Sequence, residues 1–320
     1  MEKPNVSIVL PVYNEQGSLA ELLSCLHTTL ALCVDQYEII AINDGSHDNS
    51  WDVLKQLASQ SPRVRLINFS RNCGQTAAID AGIRHAQYDI IIPIDADLEN
   101  NPSDIPLLLE KMNKGYDVVS GYRGDRWRGS WLSRKLPSIL ANKLISWLSG
   151  VHLSDYGCTL KAYRKEVLAN LRLYGDMHRF IPAYAHWNHS AKIAEVPVSY
   201  TPRKHGKSNY GMGRTWKVLL DLLVLKFFAD YSRRPIHLFG SMGFISILGG
   251  LGAGLLSVYF KFSVVYHKDF VQTPLPVLMV MLVVVGVMLI MMGLLAEILV
   301  RTYFESRDRE SDKIKETVNI

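Results

Sequence analysis

Cysteine is scarce in this chain of 320 residues: Cys25, Cys33, Cys73 and Cys158, with no C-x-x-C spacing among them. That excludes a disulfide-stapled scaffold and a zinc ribbon, and it fits a reducing compartment with the thiols as small core groups. A secretory leader is lacking as well, because the apolar run starting at Val6 is short and meets Pro11. Charge of either sign is in little excess, +5 formally. No nucleic-acid motif accompanies it, which sets nucleic acid aside as a partner. The histidines, among them His186 and His189, show no metal-ligand pattern.

Charge is missing altogether from two long stretches. Residues 236–260 and 275–296 contain no Asp, Glu, Lys or Arg; at roughly 25 and roughly 22 residues each is long enough to cross a hydrocarbon core of about 30 Å. The connecting loop carries Lys261, Lys268 and Asp269, while the outer flanks are richer in Arg and Lys. That bias predicts an inner (cytoplasmic) membrane protein with both termini in the cytoplasm. Arg203, Lys204, Lys207, Arg214, Lys217, Arg233 and Arg234 all precede the first stretch, as expected of a segment drawn to anionic headgroups. Residues 215–231, dense in bulky apolar side chains, read as an interfacial helix, and Gly250 and Gly254 form a G-x-x-x-G spacing that permits close helix approach. The chain thus divides into a soluble-type domain (1–211), an interfacial segment (212–235), a two-helix hairpin (236–300) and a tail (301–320).

Within the first part, short apolar runs alternate with helical spacing. Strands are expected at 6–10, 37–42, 64–69 and 89–94, and helices at 18–32, 51–59 and 75–85. Ser18, followed three residues later by Glu21, reads as a capping box, and Pro11 as the stop of the first strand. Strand–helix alternation at this spacing predicts an α/β fold with a Rossmann-like open sheet, whose ligands bind at the carboxyl ends of the strands. The polar residues of interest stand at those ends: Asn14 and Glu15, Asn43 and Asp44, Arg71 and Asn72, Asp95 and Asp97.

The pair Asp95 and Asp97 closes a wholly apolar run, where an uncompensated carboxylate is costly. Two carboxylates flanking one residue can hold a hard divalent cation from one side and leave its other positions to diphosphate oxygens. A solvated turn is the ordinary fate of such a pair; its place after a buried strand is what favours a ligand.

Pro11-Val12-Tyr13-Asn14-Glu15, Asn43-Asp44-Gly45-Ser46, Arg71-Asn72-Cys73-Gly74 and Asp95-Ala96-Asp97-Leu98, in this order, resemble the signature of family 2 glycosyltransferases with a GT-A fold. The likeness continues through Ser154-Asp155-Tyr156-Gly157-Cys158, Leu160-Lys161-Ala162-Tyr163-Arg164 and residues 203–210. With the paired apolar stretches, the chain is similar to the polyprenyl-phosphate glycosyltransferases, of the undecaprenyl-phosphate 4-deoxy-4-formamido-arabinose and dolichyl-phosphate mannose types. The resemblance implies inverting transfer of a single sugar from a nucleotide sugar, UDP-linked by preference, to a polyprenyl phosphate, and a homo-oligomer, a tetramer.

It also implies roles at matching positions. Pro11, Tyr13, Glu15 and Asp44 form the nucleoside pocket, with Arg71 near the nucleotide. Asp95 and Asp97 meet Mg2+ or Mn2+ and the diphosphate, and Glu99 stands where many relatives carry a Gln ligand. Asp155 is the base or the group that orients the acceptor. Because a phosphate monoester is largely dianionic at neutral pH, orientation is the larger part of that role. Arg123 and Arg134 match positions that bind the acceptor phosphate, and Arg203, Lys207 and Ser208 the diphosphate loop, in which Asn209 replaces the family's usual Lys. A processive polysaccharide synthase of the same superfamily would need a Q-x-x-R-W motif, which the chain lacks. A silent nucleotide-sugar-binding scaffold would have no use for intact Asp95, Asp97 and Asp155.

Overall fold

The computed structural model describes residues 3–124, 142–143, 145–147, 149–169, 171, 177–201, 236–263, 269–305 and 314–320. The chain forms two compact units, Met1–Lys226 with Ser311–Ile320, and Phe227–Glu310.

The first unit is built on an eight-stranded mixed sheet in the order β7-β5-β6-β4-β1-β2-β3-β8. Its strands are β1 (Val6–Val12), β2 (Tyr37–Asn43), β3 (Val64–Phe69), β4 (Ile90–Pro93), β5 (Val118–Tyr122), β6 (Lys161–Arg164), β7 (Ile193–Pro197) and β8 (Ile314–Val318). β1 runs parallel to both β2 and β4, and β2 parallel to β3, which is the Rossmann-like half. β6 and β8 run antiparallel to their neighbours. Its longer helices among the described residues are α1 (Leu19–Cys33), α2 (Ser50–Gln60), α3 (Gln75–His85), α4 (Ile105–Asn113) and α5 (Ile181–His189).

Every residue of β1 and β2 is buried, so successive side chains feed two cores. Ile8, Leu10, Ile39 and Ala41 join Leu22, Leu26 and Leu54 on one face. Val9, Ile40 and Ile42 join Ala78, Ile79 and Phe180 on the other. Helices cover both faces, which is why these strands read as unbroken apolar runs.

Three expectations are corrected. Pro11 does not stop β1, which continues to Val12. The β4 ladder ends at Val9↔Pro93, so Pro11 stands beyond it and its missing N–H costs no rung there. Ser18 does begin α1, but its side chain caps nothing; the hydroxyl donates instead to the carbonyl of Ala96 at 2.6 Å, with that of Glu15 2.9 Å away. The residues read as a tail contain β8, which completes the sheet beside β3. Asn319 fixes it, donating from Nδ2 to the Val64 carbonyl at 3.0 Å and accepting from Arg65 Nε at 3.3 Å. Arg65 is buried and ion-paired to buried Glu38, which also accepts from Ser7 Oγ and the Gln87 amide at 2.6 Å each.

The second unit is a hairpin of α6 (Ile236–Phe262) and α7 (Leu275–Glu305). Both helices are long and apolar enough to cross a membrane, and only 22% and 11% of their apolar windows are buried, unlike the core helices of a soluble domain. Small residues bring them together: a Cβ on Gly243 would fall 2.6 Å from the Gly286 carbonyl oxygen. Gly250 and Gly254 face Met279 and Val283 of α7, so the G-x-x-x-G spacing serves contact inside the hairpin. The expected interfacial helix at 215–231 lies outside the described residues.

Candidate active site

Four parallel strands end on one side of the sheet, and the loops that follow them are knitted by hydrogen bonds. After β1 the backbone turns at Asn14, whose φ is 56°. Its Oδ1 accepts from the His47 amide at 2.8 Å, and its own amide donates to Ser46 Oγ at 3.0 Å. The Glu15 amide donates to Ser50 Oγ at 3.0 Å. Pro11 is buried, Glu15 half-buried, and Tyr13 exposed with its ring edge-on to His47 at 6.3 Å.

Asp44, expected to face a base or ribose, is engaged by the protein. Its Oδ1 accepts from the Cys73 amide at 2.6 Å and its Oδ2 from the Gly74 amide at 2.9 Å, which holds the loop that starts α3. Each oxygen keeps a further lone pair for a ligand. Burial raises the Asp44 carboxyl, and the two amides oppose that rise. Gly45 makes the approach of these loops possible: its φ is +64°, and a Cβ there would fall 2.5 Å from Arg71 C and Asn72 N. Arg71 is exposed beside them.

The acidic end of β4 lies next to this wall. Asp95 Oδ1 accepts from Gln75 Nε2 at 2.7 Å and its Oδ2 from Thr159 Oγ1 at 2.5 Å. Asp97 is 7% exposed and its Oδ1 accepts from the Glu99 amide at 3.0 Å across Leu98, which has φ 60°. Burial first, and the Asp97 charge second, raise the Asp95 carboxyl to about 6. A buried carboxylate raised by a neighbouring acid in this way is a good match for a hard divalent cation, which removes the repulsion. Among the described residues no group of three or more His, Cys, Asp or Glu could hold a metal. The donors present therefore suit a cation that shares its coordination with a ligand's oxygens, not one caged by protein.

Arg123 and Asp155, both expected at the acceptor's end of the site, are joined to each other. Arg123 Nε lies 2.8 Å from Asp155 Oδ2, its Nη2 donates to Oδ1 at 3.3 Å, and its Nη1 stands 3.8 Å from Glu99 Oε2. The Arg123 side chain is 3% exposed, so this is a largely desolvated pairing. Glu99, offered as a metal ligand, is thereby also a counter-charge to Arg123. Arg134, Arg203, Lys207 and Ser208 lie outside the described residues.

Two contributors escaped the sequence reading: Gln75 and Thr159, which hold both oxygens of Asp95. Single polar residues carry no spacing signal; the one hint was their position beside Gly74 and Cys158, each within or next to a motif already singled out.

The family model described as Glycosyl transferase family 2 matches residues 7–172. A dodecaprenyl-phosphate galacturonate synthase of Rhizobium johnstonii is 38% identical over 93% of this chain and 88% of its own length. An undecaprenyl-phosphate 4-deoxy-4-formamido-L-arabinose transferase of Edwardsiella ictaluri is 38% identical over 95% and 91%. Among solved structures, glucosyl-3-phosphoglycerate synthase of Mycobacterium tuberculosis, in complex with Mn2+, UDP and phosphoglyceric acid, matches with a TM-score of 0.56. It covers 70% of this chain and 78% of that one at 17% identity, a likeness of fold.

Proposed function

The chain belongs to glycosyl transferase family 2, and on that premise we propose that it moves one sugar from a UDP-linked donor to a polyprenyl phosphate at the cytoplasmic face of a membrane. The observation that carries this reading is the juxtaposition at the end of β4: the Asp95–Asp97 pair, with Arg123 bridging Glu99 and Asp155 beside it. A site for diphosphate charge and a site for an incoming phosphate are thereby linked by one short run of residues. The relatives named for dodecaprenyl and undecaprenyl phosphates favour a lipid acceptor, and the two exposed apolar helices favour a membrane. The solved relative with UDP and Mn2+ favours that donor nucleotide and a divalent cation.

In this reading Pro11, Tyr13, Glu15 and Asp44 line the nucleoside pocket and Arg71 lies over the nucleotide. Asp95 and Asp97 hold the cation, and Glu99 completes the acidic rim while balancing Arg123. When bound, the cation neutralises the diphosphate so that it can leave. Asp155, anchored by Arg123, orients the acceptor, and Arg134, Arg203, Lys207 and Ser208 supply the remaining phosphate contacts. A lipid phosphate oxygen attacks the anomeric carbon, a C–O bond forms with inversion, and the bond to the diphosphate breaks to release UDP. Holding both reactants in line supplies a large share of such a rate enhancement.

The test is transfer to undecaprenyl phosphate by the purified full-length protein, with a panel of nucleotide sugars and product extracted into organic solvent. Product with a UDP-sugar and Mn2+ or Mg2+, lost in Asp97→Asn, supports the reading. Equal transfer by Asp97→Asn would remove the cation from the mechanism, and no product with any donor would remove the proposed reaction.

A further inference from the structure

Lys161 is a buried cation that none of these roles uses. It opens β6, is 3% exposed, and no carboxylate lies within ion-pair distance of it among the described residues. Its ammonium donates to two backbone carbonyls, that of Tyr156 at 3.2 Å and that of Cys158. Burial lowers its affinity for a proton, while the nearby Asp155 charge opposes that effect. A buried charge is costly unless hydrogen bonds satisfy it, and those of Lys161 fall on the backbone of one loop.

What it holds is the loop that carries two groups of the site. At one end Asp155 pairs with Arg123, and its Oδ1 accepts from the Gly157 amide at 3.0 Å. At the other end Thr159 donates to Asp95 Oδ2. The two carbonyls gripped by Lys161 lie between these ends. Lys161 also lines a cavity of about 30 Å³ with Asp95, Gln75, Thr159, His178 and Arg179, so the loop spans space that side chains do not fill.

We propose that Lys161 is a positioning residue for the transfer reaction: its ammonium clamps the loop from Asp155 to Thr159, so that one side chain fixes both the acceptor-orienting carboxylate and the hydroxyl that holds Asp95. The clamp acts through hydrogen-bond geometry on the protein, without contact to donor or acceptor. This rests on the function proposed above, since it assigns Lys161 to that same site.

Lys161→Met and Lys161→Gln in the full-length protein separate the possibilities. Met removes the donors; Gln keeps two N–H donors and drops the charge. The expected result is a fall in kcat of about 100-fold for Met, as for an ångström-scale displacement of reacting groups, with the donor KM raised as the Asp95 arm loosens. Gln should recover at least tenfold of that loss. Wild-type kcat in Lys161→Met, or a Gln variant no better than Met, overturns the clamp; the second outcome means that the charge itself touches substrate. Should the Met variant fail to fold, Gln decides alone: transfer within about tenfold of wild type supports the clamp, and a loss of about 100-fold overturns it. Mn2+-supported UDP binding, which involves no acceptor, keeps the two readings apart. Weaker UDP binding in Lys161→Met upholds the Asp95 arm of the clamp even if the wild type transfers nothing to a polyprenyl phosphate, and unchanged binding overturns that arm.

Discussion

The hydroxyl of Ser18 donates a 2.6 Å hydrogen bond to the carbonyl of Ala96, the residue between the two aspartates. The first turn of α1 therefore touches the acidic end of β4, the strand that lies beside β1 in the sheet. Both groups are buried, Ser18 at 2% and Ala96 at 3% exposure. The bond sets the height of the Asp95–Asp97 turn against the loop after β1.

Ser18→Ala should leave that carbonyl without its donor and let the turn shift. We expect a loss of about 1–3 kcal/mol in stability, the cost of one buried unsatisfied group. We also expect weaker Mn2+ dependence of UDP binding. Thermal unfolding and calorimetric titration of the same preparation check both.

Asp95 gives a pH signature. Its carboxyl titrates at about 6 in the fold against an ordinary 3.8, so the native state holds the proton through a window where the unfolded chain has lost it. Stability on this account falls as pH rises from about 4 to about 6, and the full penalty is present above that. Asp95→Asn should therefore stabilise the cation-free protein at pH 7.5, by about 1–3 kcal/mol at roughly 1.4 kcal/mol per unit, and should give no gain below pH 4. Added Mn2+ should stabilise the wild type and not the variant. Unfolding curves at the two pH values, with and without Mn2+, measure all four cases.

Arg123 neutralises two acids at once. Arg123→Met leaves Asp155 and Glu99 facing each other in a half-buried site, at a cost of about 2–4 kcal/mol, toward the lower end of values for broken buried pairs. Adding Asp155→Asn to it should recover part of the stability and none of the transfer activity. A double-mutant cycle read by unfolding, with activity alongside, distinguishes the pairing from independent effects.

Gly45→Ala should be the most damaging small change in the nucleoside wall. The backbone there is left-handed, and the added carbon would overlap the chain at Arg71 and Asn72. More than about 2 kcal/mol is expected, since the strain of the conformation and the overlap add. UDP binding should be lost with it, because the loops after β2 and β3 can no longer close on each other.

Much of the fold was legible because burial on both faces left a plain record: β1, β2, β3 and β4 are apolar runs with turn residues or acids after them. The acidic pair at the end of β4 and the aspartate after β2 followed from that placement. Pro11 misled because its effect depends on where the neighbouring ladder stops, which no single chain segment states. Ser18 and Glu21 have capping-box spacing, yet a carbonyl some eighty residues away outcompetes the local bond. β8 escaped notice because Ile314-Lys315-Glu316-Thr317-Val318 is a short edge strand with charges facing outward, indistinguishable by pattern from a solvated end. The Arg123–Asp155 pairing was hidden for a similar reason: each residue sits in its own motif, and only the three-dimensional path brings the motifs within 3 Å.

The position of β8 has a consequence for biosynthesis. Its residues are translated after both apolar helices, yet they close the edge of β3, and Asn319 supplies a carbonyl to buried Arg65. The soluble-type domain cannot reach its final sheet while the ribosome is still making the hairpin, so maturation of the catalytic half waits on completion of the helices. Because the polypeptide leaves that domain and returns to it, the hairpin is a closed excursion with two covalent attachments. A protein cut short before Ile314 would keep every candidate site residue and still present β3 with an unpaired edge.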